Sequence, residues 1–399
     1  MRIGILTYHW VSNFGAQLQT LSTYNKVLQS GHKPYIINWI PQDLENAYSI
    51  RVSNVQNMAH RGFCEAHFSN ITRVCRDKWD IAKEIDDLQI DMVIIGSDAV
   101  FSYVPNLCRI YIGRHGVKFI KPLSVNDFPS PFWGDFASLT KRKIKLVAMS
   151  ASAQNTKYTR IFGKKQKTAF TKALARFDYI SVRDVWTQDM ISYLSNGQIE
   201  VPITPDPVFA FQQNVSPVNE NFVERHLGIK GQYVLITLNN KYVNDNWIQE
   251  LEYRFAKKGI TLIGLPQTDK KYVLNLKYNV SFPLDPISWY NLIRESTGYI
   301  GELMHPVLVS LHNSIPVYVF DAYGYRTKHT LDIKSSKTYQ IMDRFGLLNN
   351  YYNSLYSAKY PEVDYVVNQI LGFNREECSI HSKEMYRDYQ IMMSNIFLL

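Results

Sequence analysis

The sequence predicts an α/β fold: two doubly wound domains in tandem facing a cleft, followed by a C-terminal helical extension. Three observations carry this. Short apolar runs alternate with stripes at helical spacing. The alternation restarts near residue 232, after the Pro-containing stretch 205–220, which suits a linker. The 399 residues leave room for two to three domains. The division expected is 1–215, 216–375 and a terminal helix within 376–399.

Each element follows from its residues. MRIGILTY reads as a first strand, HWVSNFG as a glycine-containing loop, and about 15–30 as a helix, with Leu18, Leu21, Tyr24, Val27 and Leu28 on one stripe. Gly31 follows, where a left-handed cap is expected, and PYIINWI (34–40) is a second strand. This β-α-β unit predicts parallel strands with a right-handed crossover. DMVIIGSD (91–98) and IKLVAMSAS (144–152) are two further strands. A basic helix around 164–176, the strand FDYISVRD (177–184) and a helix over 185–194 complete the first set. The second set comprises strands 232–240, 260–266, 298–303 and 315–320, with helices over 246–259, 286–296 and 306–314. A long helix is expected over 377–397.

Composition narrows the function classes. Apolar residues make up 46% of the chain, enough for a sizeable core, and no low-complexity tract suggests disorder. There is no uncharged apolar run of membrane-spanning length, and the N-terminus lacks a signal-peptide core. Cys64, Cys75, Cys108 and Cys378 lie far apart, so neither a zinc site nor a disulfide framework is expected. A cytoplasmic protein is expected, either free or held at the inner face of the membrane. The net charge of +9 suits an anionic substrate or an anionic membrane surface. Nucleic acid is not an expected partner, since the chain carries no RNP signature or finger.

In open parallel sheets, ligands sit outside the carboxyl ends of the strands. That rule selects His9 to Gly15, Ser97 and Asp98, Arg183 and Asp184, and Glu302 to His305. His305 precedes Pro306, a residue favoured at the first position of a helix, so the histidine falls near the helix N-terminus, where anions bind. It is either a proton donor beside a bound anion or a histidine that merely caps a turn. His312, two turns on, is packing or surface. Arg183 offers a fork suited to carboxylate or phosphate, or pairs with Asp184 or another acid. Arg326 and Lys328 sit in GYRTKHT, after another strand end. Asn13 and Gln17 offer amides for sugar hydroxyls or a diphosphate. The alternative is ordinary helix capping by Ser12 or Asn13. No dinucleotide fingerprint, P-loop, nucleophile elbow or metal-ligand cluster is present.

Several motifs occur in a telling order: IGILTYHWVSNFGAQLQTLSTY at the start, GSD after an apolar strand, FDYISVRD, DPV at 206–208 and His305. Together they resemble the polysaccharide pyruvyl transferase family over most of residues 1–350. The resemblance implies two Rossmann-like domains in a GT-B-like arrangement. It implies transfer of an enolpyruvyl unit from phosphoenolpyruvate to sugar hydroxyls of a surface-polysaccharide precursor, forming a pyruvate ketal and releasing phosphate. His305 matches the family's histidine, and Arg183 matches the arginine of its R-[DE] motif, implicated in holding phosphoenolpyruvate. The cation after the last strand falls on Arg326 or Lys328. Asp98 and Glu302 are candidate bases, and Asn13 and Gln17 candidate acceptor contacts. No cofactor or metal is implied beyond phosphoenolpyruvate as co-substrate. The acceptor expected is a sugar, a nucleotide sugar or a lipid-linked oligosaccharide. The sequence departs from the family's S-x-[FL]-H-G pattern, reading E-L-M-H-P at 302–306. The alternatives are a GT-B glycosyltransferase using a nucleotide sugar and a non-catalytic glycan-binding relative.

Overall fold

The structure is a computed structural model. It describes residues 1–113, 116–239, 242–268, 273–326, 331–332, 335–357 and 359–399, and gives the backbone alone at 111–113, 325–326 and 331–332. The N-terminal half runs β1 (Arg2–Leu6), α1 (Phe14–Gln29), β2 (Lys33–Ile36), α2 (Gln42–Arg51), α3 (Asn54–His67), α4 (Lys78–Asp87) and β3 (Met92–Asp98). A hairpin, β4 (Ile110–Gly113) and β5 (Gly116–Phe119), follows. Then come β6 (Lys145–Ala151), α5 (Lys164–Leu174), β7 (Tyr179–Val182) and α6 (Val185–Ser195). The main sheet has the order β2-β1-β3-β6-β7, all parallel, so the topological switch falls between β1 and β3.

Short helices α7 (Phe211–Val215) and α8 (Phe222–Leu227) lead into the second half. It runs β8 (Tyr233–Thr237), α9 (Asp245–Ala256), β9 (Thr261–Gly264), β10 (Tyr278–Asn279), α10 (Pro286–Arg294), β11 (Gly298–Gly301), α11 (Met304–His312) and β12 (Val317–Asp321). Next are β13 (Tyr325–Arg326), β14 (Leu331–Asp332), α12 (Lys337–Arg344), β15 (Tyr351–Asn353), α13 (Val363–Leu371) and α14 (Arg375–Phe397). Its sheet is also parallel, in the order β10-β9-β8-β11-β12-β15, with the switch between β8 and β11. The two-domain α/β architecture expected from the sequence is therefore present.

Helices α2, α3 and α4 had no counterpart in the sequence pattern, and the reason is visible. Only Leu44 is buried on α2. On α3 the buried stripe is Gln56, His60, Phe63 and Cys64, half of it polar. Gln56 is satisfied by both backbone groups of Leu284, and His60 Nδ1 meets the Gln17 amide oxygen. Expected strand 34–40 stops at Ile36, because the chain beyond leaves β1 and pairs with residues near Cys75.

One apolar cluster spans both halves, joining α1, the Val208–Phe211 segment, α10, α11 and α14. Phe14 of α1 stacks on Trp289 of α10, with ring centroids 5.1 Å apart. Helix α14 crosses both halves. Ser382 donates to the carbonyl of His312 (2.9 Å), and Ser150 of the first sheet donates to Met392 Sδ (3.3 Å). Among the described residues no helix is long and apolar enough to cross a membrane.

Candidate active site

The switch points of the two sheets face each other, and two helix N-termini meet there. Asn13 caps α1 by accepting the N–H of Ala16 (3.3 Å). Helix α11 starts after Leu303, which has no side-chain cap. The helix begins two residues before Pro306, not at it, so the free donors among the described residues are the Met304 and His305 N–H groups, and the helix dipole there favours an anion. His305 lies in this first turn, and its ring rests on Gly15. A Cβ at Gly15 would fall 2.0 Å from the His305 Cγ. Glycine is thus required where the two helices meet.

Behind His305 lies a charged cluster. The Arg183 side chain is 4% exposed; its Nη1 donates to Asp206 (2.6 Å), and its Nη2 is 3.7 Å from Asp98. Asp206 also accepts from the Gln19 amide of α1 and from the Val208 N–H. Asp98 ends β3 with φ 95°, a strained conformation for a non-glycine residue, and its carboxylate accepts the Ala99 N–H (2.8 Å). At Gly96, also in the left-handed region, a Cβ would meet the Met149 carbonyl at 2.4 Å. Lys337, at the start of α12, completes the cluster.

Burial and these neighbours set the ionisation states. Burial works against charge on Arg183, but Asp206 and Asp98 outweigh it and hold its pKa up. Burial would raise Asp98, and Arg183, His305 and Lys337 outweigh it, so the carboxyl lies below its ordinary value. Burial, and then repulsion from Arg183, pulls the Lys337 ammonium down to about 8. His305 is lowered by burial, partly offset by Asp206 and Asp98. Within this cluster, His305 Nε2 and Arg183 Nε are buried and have no hydrogen-bond partner among the described residues.

Three cavities surround the cluster. The first, about 390 Å³, is lined from one side by Asn13, Gly15, Tyr48 and Arg51 and from the other by Gln267, Trp289, His305 and Tyr323. The second, about 300 Å³, holds Arg183, Asp206 and Lys337 and shares Met304 with the first. The third, about 290 Å³, is lined by Asn155, Lys157, Arg160 and Trp186, and shares Tyr323 with the first.

Of the residues singled out by sequence, His305, Arg183 and Asp98 come together, and Asn13 lines the first cavity. Gln17 does not face the cleft, a correction to the expected acceptor role. It is 0% exposed, and its amide donates to the carbonyls of His9 (3.1 Å) and His60 (2.9 Å). Glu302 stands back from the cavity, accepting from Gln267 (3.2 Å) beside Tyr242. Arg183 pairs with Asp206 and Asp98, whereas Asp184 caps α6. His312 is packing, accepting the Gln212 N–H. Lys328 lies outside the described residues, and Arg326 is described only as backbone paired with Leu331. Sequence reasoning missed Asp206, Lys337 and Tyr323. Asp206 had a signal in its DPV triplet; Lys337 had none. Among the described residues no group of three His, Cys, Asp or Glu is placed to hold a metal.

The model of the family described as polysaccharide pyruvyl transferase matches residues 13–322. The chain belongs to the polysaccharide pyruvyl transferase family. No curated protein matches it by sequence. Among solved structures it is similar to a Listeria monocytogenes protein assigned as a UDP-N-acetylglucosamine 2-epimerase, with TM-score 0.52 and 9% identity over 96% of this chain and 90% of that one. A second UDP-N-acetylglucosamine 2-epimerase gives 0.50 and 8% over the same shares. A transferase from Siraitia grosvenorii, solved with UDP, gives 0.50 and 9% over 99% and 98%. At such identities the likeness speaks for the fold, which is the GT-B-like pairing of two parallel-sheet domains.

Proposed function

We propose that this family member transfers a pyruvyl group from phosphoenolpyruvate to a pair of sugar hydroxyls of a polysaccharide precursor, with His305 as the acid. The observation that carries this is the pair of unpartnered buried nitrogens, His305 Nε2 and Arg183 Nε, beside the uncapped start of α11. An unsatisfied buried donor costs about 1–3 kcal/mol. An anion bound among them relieves that cost.

The donor's carboxylate and phosphate are held by Arg183, Lys337 and the first N–H groups of α11. Binding of this anion counteracts the burial that lowers His305 and so favours the protonated imidazole. His305 then protonates the methylene carbon, leaving an oxocarbenium-like centre at the enol carbon. One sugar hydroxyl adds there, phosphate leaves, and the second hydroxyl closes the ketal. Of the two hydroxyl protons, one restores His305 and the other leaves with phosphate, so the atoms balance. One positioned acid contributes roughly 10²- to 10⁴-fold, and the fixed charges of the cluster contribute more. Asp98 acts through its charge on His305, since neither it nor Glu302 lines the His305 cavity. The acceptor sugar occupies that cavity, where Tyr323 offers an exposed ring and Asn13 and Gln267 offer amides.

Calorimetric titration of phosphoenolpyruvate into wild type, Arg183→Ala and His305→Ala tests this. Binding is expected in wild type, lost in Arg183→Ala and retained in His305→Ala. A wild type that ignores phosphoenolpyruvate but binds a nucleotide sugar would replace pyruvyl transfer with glycosyl transfer.

A further inference from the structure

Hairpin β4–β5 has an apolar face that none of the described residues covers. Its register sets Ile110 opposite Phe119 and puts Val117 on the same face. Phe119 is 78% exposed, Val117 57% and Ile110 42%, and the next residue, Ile120, is 54%. A two-stranded ribbon gains little stability in water by itself, and an uncovered apolar face of this kind marks an interaction surface.

Its charge says what covers it. Residues 105–121 contain four Lys or Arg, one of them (Arg109) paired with Asp127 (2.7 Å), and no Asp or Glu, and residues 157–167 contain five and again no acid. The two segments are neighbours. Arg160 reaches Cys108 Sγ (3.9 Å), and Gln166 donates to the Tyr103 hydroxyl (2.6 Å), at the foot of the hairpin. Phe162, between the basic residues, is 67% exposed. Both segments leave the carboxyl edge of the first sheet, after β3 and β6, the edge that carries Asp98 and Arg183. Lys157 and Arg160 line the third cavity, which shares Tyr323 with the His305 cavity.

We propose that this surface docks on an anionic lipid bilayer, with Val117, Phe119 and Phe162 entering the interface and the flanking lysines meeting headgroup phosphates. The VKFIK run interleaves apolar and cationic side chains, which is the composition of an interfacial anchor. Non-sequence-specific binding to a single-stranded nucleic acid would call instead for several aromatic faces along a cationic groove. The docked orientation turns the cleft mouth toward the membrane, so the acceptor class it favours is a glycan held on a membrane lipid. The docking itself stands apart from the donor chemistry.

The test is co-sedimentation of the full chain with vesicles of phosphatidylcholine alone, or mixed with phosphatidylglycerol at roughly three to one. Wild type is expected to partition onto the anionic vesicles about tenfold more strongly, and to release as salt screens the attraction. Val117→Asp with Phe119→Asp is expected to lose about tenfold in partitioning with an unchanged thermal melt. A Phe119→Trp variant supplies an independent readout, a blue-shifted emission on anionic vesicles. Equal binding to both vesicle types, undiminished binding by the aspartate variant, or tryptophan emission that stays unshifted would each overturn the proposal. So would binding to a DNA duplex that outcompetes the vesicles. Phosphoenolpyruvate titration of the aspartate variant should match wild type, which separates failure of this surface from failure of the donor site.

Discussion

The imidazole of His305 rests against the backbone of Gly15, so closely that a methyl at residue 15 would stand 2.0 Å from the ring. One residue starts a helix of the first domain and the other a helix of the second. The contact therefore sets both the aim of the imidazole and the spacing of two helix N-termini.

Gly15→Ala should push the imidazole aside without unfolding either domain. A shift of about 1 Å at a reacting group can cost about 10²-fold in rate. We expect a loss of that order in phosphate release from phosphoenolpyruvate with acceptor present, and an unchanged cooperative melt. Full activity in this variant would remove His305 from the chemistry.

Asp206 joins Arg183, Gln19 and the Val208 amide in a buried network. Removing one member of a buried pair leaves its partner uncompensated, at a cost of roughly 3–5 kcal/mol. Asp206→Ala should therefore lose about that much in urea unfolding. Asp206→Leu combined with Arg183→Met should lose less than either single change, though it cannot hold an anion.

Donor affinity should fall as pH rises past 8. Lys337, pulled down to about 8, is charged below that value and neutral above it, so its attraction for an anion fades through that window. Phosphoenolpyruvate titrated between pH 7 and pH 9 should show the fall, and Lys337→Met should flatten it. His305 runs the other way. Lowered in the free protein and raised by a bound anion, it should take up a proton on binding. The observed heat should then vary with the buffer's ionisation enthalpy in wild type and not in His305→Gln.

Stability should decline on the acid side well before the carboxylates titrate. Burial lowers His9 to about 4, His60 to about 3 and His312 to about 4. The unfolded chain takes protons at these residues first, near the ordinary histidine value of about 6.5. Their contribution is thus intact above that pH and is lost as pH falls toward 4. Each proton adds a slope of about 1.4 kcal/mol per pH unit. Urea unfolding across that range should show the uptake of these protons, with His305 adding to it, and His312→Gln should show one fewer.

The sequence alone determined the two-sheet plan, because buried parallel strands must be short apolar runs whatever they pack against. It also placed His305, Arg183 and Asp98 at strand ends, where a parallel sheet presents its ligands. The tertiary structure decided the partners. Gln17 shares a motif with Asn13 yet turns inward to His60, a contact set by how α3 packs on α1. Asp206 and Lys337 reach the site from a linker turn and from a helix 32 residues beyond His305 in the chain. Periodicity reports which side of an element faces the core. It carries no information on which distant element that side meets, and here that meeting sets the charge around His305.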